Sequence, residues 1–290
     1  MVVGACSSAG KSSATGATSV QRVTFTLVDP SRPTPANGTY RGAPSRTLVT
    51  VVSYPTRSGR PVSGPLPLVI FATGFGDTAT TYAPLYDHWV EAGYVVAAPN
   101  FPISQQSAPG GASLVDFDQQ PADVSFVLSE MLRLNKTPGS VIFQRLDPAR
   151  VGLSGKSLGA ITVLSVGYSP ARRDPRFMAV ISLTGAPSDK SAFTGISTPL
   201  LLEHGDADTT VPISGSRDAY ARANPPKFFE TIFGATHSSA FGGGRSPSEL
   251  VVDRTTLDFF NRYVKDVTTA SGQLTRDGDV AGVASLQAAP

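Results

Sequence analysis

Three short stretches of this 290-residue chain are apolar without a break: Leu68-Val69-Ile70-Phe71-Ala72, Val95-Val96-Ala97-Ala98 and Pro199-Leu200-Leu201-Leu202. A strand with one wet face alternates apolar and polar residues, so an unbroken run indicates a strand covered on both faces. The remaining strand candidates are Arg22–Val28, Arg46–Tyr54, Arg150–Ser154, Met178–Thr184 and Lys227–Phe233, with the first three runs extending to Pro67–Thr73, Tyr94–Pro99 and Pro199–His204. Helix patterns fall between them at Tyr82–Ala92, Gln120–Leu134, Leu158–Tyr168, Ser214–Ala223 and Ser248–Val264. In the second, Val124, Val127, Leu128, Met131 and Leu132 recur at three- and four-residue spacing behind Pro121, which suits a first helical turn. Strand and helix in alternation predict an α/β fold, a mostly parallel central sheet of about eight strands flanked by helices. The two earliest strands are joined by a Pro/Gly-rich stretch without a helix pattern and are expected to be antiparallel.

Composition narrows the function. Apolar residues at 40% are ample for a core, and 24 Lys+Arg against 22 Asp+Glu give a net charge of only +2. That is no concentrated basic field, so no nucleic-acid partner is expected. No run of about 18 apolar residues occurs, so no membrane-spanning helix is expected. The single Cys, Cys6, supports neither an intrachain disulfide nor a cysteine-based zinc site. Residues 1–19 are small and polar and are read as a flexible N-terminal linker. Residues 20–266 are read as one catalytic domain and residues 267–290 as a C-terminal tail lying on the surface. No internal repeats occur.

The sharpest motif is Gly155-Lys156-Ser157-Leu158-Gly159, of the form G-x-S-x-G. It follows the Arg150–Ser154 strand candidate and opens the helix candidate at Leu158, which is the context the motif requires. Ser157 at so tight a turn must take strained backbone angles, and small neighbours must let strand and helix approach. The turn places the Leu158 N–H at a helix N-terminus, where it can donate to a developing oxyanion.

Together with Phe71-Ala72-Thr73-Gly74-Phe75-Gly76, Ala92-Gly93-Tyr94-Val95-Val96-Ala97-Ala98-Pro99 and Gln120-Pro121-Ala122-Asp123-Val124, this motif resembles serine hydrolases of the α/β-hydrolase superfamily. The resemblance covers Val20 to Val264. Within the superfamily the chain is most similar to bacterial secreted esterases of the platelet-activating-factor-acetylhydrolase-like, chlorophyllase-like and cutinase-like group. Lys156 stands where many relatives have His, and Ala160 where many have a further Gly.

The resemblance implies a Ser-His-Asp triad in the order Ser, acid, His. Of the three histidines, His88 precedes the serine and reads as a half-exposed helix residue. His204 ends a strand and precedes both acids. His237, in Phe233-Gly234-Ala235-Thr236-His237-Ser238-Ser239, alone follows them. Asp206 and Asp208 compete for the acid, since both sit on a loop leaving the carboxyl end of an inner strand. The segment His204-Gly205-Asp206-Ala207-Asp208-Thr209-Thr210-Val211-Pro212 resembles the family loop G-x-x-D-x-x-x-P, whose D falls on Asp208. Asp206 is then read as a loop-capping side chain. Thr73-Gly74-Phe75-Gly76-Asp77 looks like the family's H-G-F/Y-G loop and puts the second oxyanion donor at the Phe75 N–H.

Phe75, Tyr82 and Phe241 are expected to form an apolar rim to the site, with Tyr82 and Phe241 as substrate-binding residues. Trp89 reads as core. Gly185–Thr198 is too short for a large cap domain, so an open cleft is expected. These readings imply a carboxylic-ester hydrolase acting through an acyl-enzyme, without metal or cofactor, on a small-molecule or polymeric ester. Lipidic and cutinase-like polyester substrates are included, although the C-terminal cysteine pair common among those cutinases is absent. The alternatives are a serine peptidase or acyltransferase on the same fold, or a non-catalytic surface lipoprotein. A monomer is expected. Val3-Gly4-Ala5-Cys6-Ser7-Ser8 resembles a bacterial lipobox, which implies a secreted or cell-surface lipoprotein whose one membrane attachment is a lipidated Cys6. Five residues before Cys6 are too few for a signal-peptide apolar region, so the expectation is that either the true start lies upstream or Met1 replaces a removed leader.

Overall fold

The computed structural model describes residues 18–290. The strands are β1 (Thr18–Asp29), β2 (Arg46–Arg57), β3 (Arg60–Pro61), β4 (Leu66–Ala72), β5 (Val95–Asn100), β6 (Leu146–Lys156), β7 (Ala179–Leu183), β8 (Leu200–Gly205), β9 (Lys227–Ile232) and β10 (Ala284–Ala289). The helices are α1 (Ala83–Glu91), α2 (Gln120–Leu134), α3 (Leu158–Tyr168), α4 (Ser214–Arg222), α5 (Pro247–Tyr263) and α6 (Ala270–Gly278). One ten-stranded sheet runs β1-β2-β5-β4-β6-β7-β8-β9-β10, with β3 hairpinned onto β2. From β5 through β9 neighbours are parallel; β1, β2 and β10 pair antiparallel with theirs.

The unbroken apolar runs have a direct cause. Along β4, Leu68, Ile70 and Ala72 point into one core and Val69 and Phe71 into the other. The first core holds the inner faces of α2, α3 and α4, including Val124, Val127, Val163 and Ala219. The second holds α1, α5 and α6, with Trp89, Phe259, Phe260 and Leu274. Trp89 is therefore core, and its indole N–H donates to Thr256 Oγ1 at 3.0 Å.

Both chain ends depart from expectation. Thr18 and Ser19, assigned to the N-terminal linker, begin β1 opposite Arg57 and Thr56, with a 2.9 Å hydrogen bond between the Ser19 and Thr56 hydroxyls. Cys6 and the lipobox-like segment lie outside the described residues. Residues 267–290, expected as a surface tail, contain α6 and the edge strand β10. Ala284–Ala289 pairs along the whole of β9, and Leu274 is buried. An edge strand is held by backbone hydrogen bonds, so small and polar residues serve without an apolar pattern.

This C-terminal unit covers an unusual pair. Glu203 and Glu230 are register partners on β8 and β9, fully buried, and both lie within hydrogen-bond distance of the Thr255 hydroxyl, at 2.8 and 2.9 Å. That hydroxyl has one proton to give. Burial pushes both carboxyls up, Glu230 to about 8. Burial and Asp277 on α6 likewise push Asp258 on α5 up to about 7. A carboxyl that holds its proton more tightly folded than unfolded withdraws stability as pH rises through the interval between the two values. The fold is therefore expected to lose stability from about pH 5 to about pH 8. In Glu230→Gln the thermal midpoint is expected to fall less over that range, the difference from wild type being on the order of several °C. Parallel unfolding curves at pH 5, 7 and 9 measure it, and equal slopes for the two proteins would contradict it.

Candidate active site

Four strand ends converge at the carboxyl edge of the sheet, where open α/β sheets gather their reactive groups. β4 delivers Thr73–Asp77, β6 delivers Ser157, β8 delivers Asp208 and β9 delivers His237. Ser157 has φ 56° and ψ −120° between β6 and α3, a left-handed conformation that costs a non-glycine residue energy. Its N–H donates to Leu183 O at 2.9 Å, which pins the turn to β7. Gly159 is needed because a Cβ there would stand 2.1 Å from Ala72 O, and a Cβ on Gly155 would meet Gly159 O at 2.5 Å. The flanking glycines thus let α3 start directly against β4 and β6, and Leu158 opens that helix with its N–H ahead of the first intrahelical bond.

His237 lies 2.8 Å from Ser157 Oγ through Nε2 and 2.7 Å from Asp208 Oδ2 through Nδ1. A carboxylate only accepts, so Nδ1 carries the proton and Nε2 is left to accept from the serine hydroxyl. Asp208 is buried, which opposes its charge. Hydrogen bonds from His237 and from the Val211 and Thr210 N–H groups outweigh that and hold the carboxyl below its usual range. Those two amides, at 3.0 and 2.8 Å, occupy Oδ1 and leave Oδ2 to His237.

Asp206 is exposed and accepts the Gly234 N–H at 2.7 Å, and Ala207 N–H donates to Ala235 O at 3.1 Å. The loop after β8 is thereby tied to the loop that carries His237. This is a brace between two loops rather than a local Asx turn. His204, which sequence reasoning set aside for its position in the chain, lies behind the acid: its Nε2 is 3.2 Å from Asp208 Oδ2 and 2.8 Å from Val211 O. Both are acceptors, so Nε2 is protonated, and Nδ1 faces the Ser216 hydroxyl at 2.7 Å, which also lies 3.1 Å from Gly185 O. Burial pushes the His204 imidazole below its usual range, consistent with a neutral ring. The only advance signal was its place three residues before Ala207-Asp208 at a strand end.

The expected rim is different. Phe75 is 47% exposed, but Phe241 is 1% exposed because a turn closed by Phe241 N–H to Ser238 O folds its ring back into the α1/α5 core. Tyr82 is also buried; it stacks on Phe71 and donates its hydroxyl to Asp77 Oδ2 at 2.6 Å. Neither forms an outer wall. The exposed apolar residues on the neighbouring loop between β5 and α2 are Leu114 and Val115, 56% and 57% exposed. That loop is joined to the Phe75 loop by Gly76 N–H to Ser104 O at 2.7 Å. Gly74 has no room for a side chain, since a Cβ would stand 2.6 Å from Asp77 Oδ2 and 3.4 Å from Ser157 Cβ. The Phe75 loop thus runs directly beside the serine.

A hydroxyl bonded to an imidazole that a buried carboxylate holds in one tautomer is an arrangement able to deprotonate the hydroxyl during attack on an electrophilic carbon. With its sheet order, the helices on both faces and the serine at the turn after β6, the chain has the α/β-hydrolase fold, without a large cap domain: residues 184–199 alone separate β7 from β8. The solved structure of a ferulic acid esterase from Streptomyces cinnamoneus matches it with a TM-score of 0.69, covering 86% of this chain and 91% of that one at 21% identity. No family model matches this sequence, and no curated protein does either. Solved chains matching in structure number 1211, so the fold is a widely used one and the reaction has to be argued from the site.

Proposed function

We propose that the protein is a carboxylic-ester hydrolase that works through an acyl-enzyme on Ser157. The observation that carries this reading is the continuous Asp208–His237–Ser157 hydrogen-bonded chain, 2.7 and 2.8 Å per link, ending on a strained serine at a helix N-terminus. Ser157 Oγ attacks the ester carbonyl while its proton passes to His237 Nε2. Asp208 keeps the ring oriented and stabilises the imidazolium. The carbonyl oxygen takes the negative charge and is held by the Phe75 and Leu158 N–H groups. Collapse breaks the bond to the alcohol, which leaves with the proton from His237. Water then repeats the sequence on the acyl-serine and regenerates the hydroxyl.

The exposed Phe75, Leu114 and Val115 favour acyl or aryl esters presented on an open surface, which includes polyesters and, by the likeness to a ferulic acid esterase, feruloyl esters. That no large cap domain stands among the described residues supports an ester hydrolase over a peptidase. Secretion or surface tethering belongs to the same proposal and rests on the segment around Cys6.

The test combines p-nitrophenyl esters of increasing acyl length, methyl ferulate and a polyester film with labelling by a fluorophosphonate. The expected result is stoichiometric labelling of Ser157 and turnover of at least one ester class. A folded wild-type protein that neither labels nor turns over any ester would overturn the reading.

A further inference from the structure

Gln120 opens α2 and is fully buried. A buried amide has to be hydrogen-bonded, so its partners show what it holds. Nε2 donates to Ser104 Oγ at 3.0 Å, and Oε1 accepts the Thr162 hydroxyl at 2.7 Å. Both partners are themselves buried. Ser104 lies on the loop after β5, and its carbonyl accepts the Gly76 N–H at 2.7 Å, one residue beyond Phe75. Gly76 and Gln105 also form a parallel bridge. Thr162 lies on α3 one turn after Leu158, and its hydroxyl also reaches Leu158 O at 3.1 Å. One amide therefore joins the two segments that flank Ser157, the Phe75 loop and the first turn of α3. Gln120 is itself anchored. Asp116, just before α2, and Asp123, in its first turn, both bind the buried Arg46 guanidinium at the head of β2, at 3.0 and 2.8 Å.

We infer that Gln120 is a positioning residue for the reaction proposed above: its amide fixes the separation of the Phe75 and Leu158 N–H groups, so that both can meet one oxyanion. The inference rests on the ester-hydrolase reading of the site. Two donors on different segments stabilise the same oxygen only if their spacing is set before the charge develops. A small misplacement of a preorganised group costs rate steeply. The Phe75 side chain is exposed and adds little packing, which leaves the bonds at Gly76 and between Tyr82 and Asp77 to hold that loop. Through Ser104 and Thr162, Gln120 refers the first of these bonds to the helix that carries the Leu158 N–H.

Gln120→Met keeps the length and removes both hydrogen bonds. kcat is expected to fall about tenfold with KM within about twofold of wild type, because the loss is felt only when the oxyanion forms. In a trifluoromethyl ketone adduct the carbonyl carbon bonds Ser157 Oγ, the proton passes to His237 and the carbonyl oxygen becomes an oxyanion. Affinity for that ketone should weaken by a similar factor. A purely structural glutamine would lower thermal stability and leave kcat and this affinity in place. A folded Gln120→Met protein with wild-type kcat overturns the inference. Ser104→Ala breaks the same chain more gently and keeps the carbonyl that Gly76 uses. It is expected to lower kcat by about threefold or more, and Gln120→Met/Ser104→Ala should lose no more than Gln120→Met alone. Losses that multiply in the double variant overturn the inference. A third measurement needs no turnover. By amide hydrogen exchange, Gly76 is expected to exchange about tenfold faster relative to Val180 on β7 in Gln120→Met and in Ser104→Ala. An unchanged ratio overturns the inference. Failure of fluorophosphonate labelling in wild type would instead remove the hydrolase reading, while the exchange still decides whether Gln120 holds the Phe75 loop.

Discussion

Ser157→Ala is expected to lower kcat for any ester substrate by about 10⁴- to 10⁶-fold with KM nearly unchanged. In the proposed reaction that hydroxyl forms the acyl bond, while the Phe75 and Leu158 amides proposed as oxyanion donors are left in place. Some rate above that in water should persist for that reason. The fold should survive, because Ser157 is only half buried and the Ser157 N–H to Leu183 O bond is made by the backbone. The left-handed φ of 56° is forced by the strand-to-helix turn and is not relieved by alanine, so no large gain in stability is expected. Steady-state kinetics, circular dichroism and loss of fluorophosphonate labelling measure this together. A well-folded Ser157→Ala protein retaining more than a few percent of wild-type kcat would mean that another nucleophile does the work.

The second large effect belongs to the acid. Asp208→Asn is expected to cost about 10⁴-fold in kcat near neutral pH, whereas Asp206→Asn should cost less than about threefold. The reason is the hydrogen-bond pattern around each residue. Asp208 Oδ1 accepts the Thr210 and Val211 N–H groups, so an asparagine must place its carbonyl oxygen there and turn its NH₂ toward His237 Nδ1. His237 would then have to accept at Nδ1 and carry its proton on Nε2, where it can no longer take the proton of Ser157. The same NH₂ would face the Nε2–H of His204. At position 206 an asparagine oxygen still accepts the Gly234 N–H, and the brace between the two loops survives. Equal, modest losses in the two variants would contradict the assignment of the acid to Asp208.

The inner strands of this fold were legible because each is covered on both faces, which leaves unbroken runs such as Leu68–Ala72 and Leu200–Leu202. The helices were legible from their apolar stripes, and α2 and α3 begin and end where the pattern does. The edges were not. β1 begins earlier than apolarity suggests, and β10 has no pattern at all, because an edge strand is selected by backbone pairing and not by side-chain burial.

At the site, the sequence by itself determined residue types and their order: a serine in a G-x-S-x-G turn, two acids after a strand and one histidine after both. Chain order limits which groups can arrive at a common sheet edge, and it singled out Ser157, His237 and the pair Asp206/Asp208. Only the tertiary structure decided that the carboxylate meeting His237 is Asp208, that Asp206 ties two loops together and that His204 supports the acid from behind. It also decided that Phe241 turns inward while Leu114 and Val115 face out, and that Lys156 is buried beside the serine. Each of these depends on the direction a side chain takes once separate strands and loops are packed together. Local propensity carries little information about that direction, because partners such as Ser157 and His237 lie 80 residues apart.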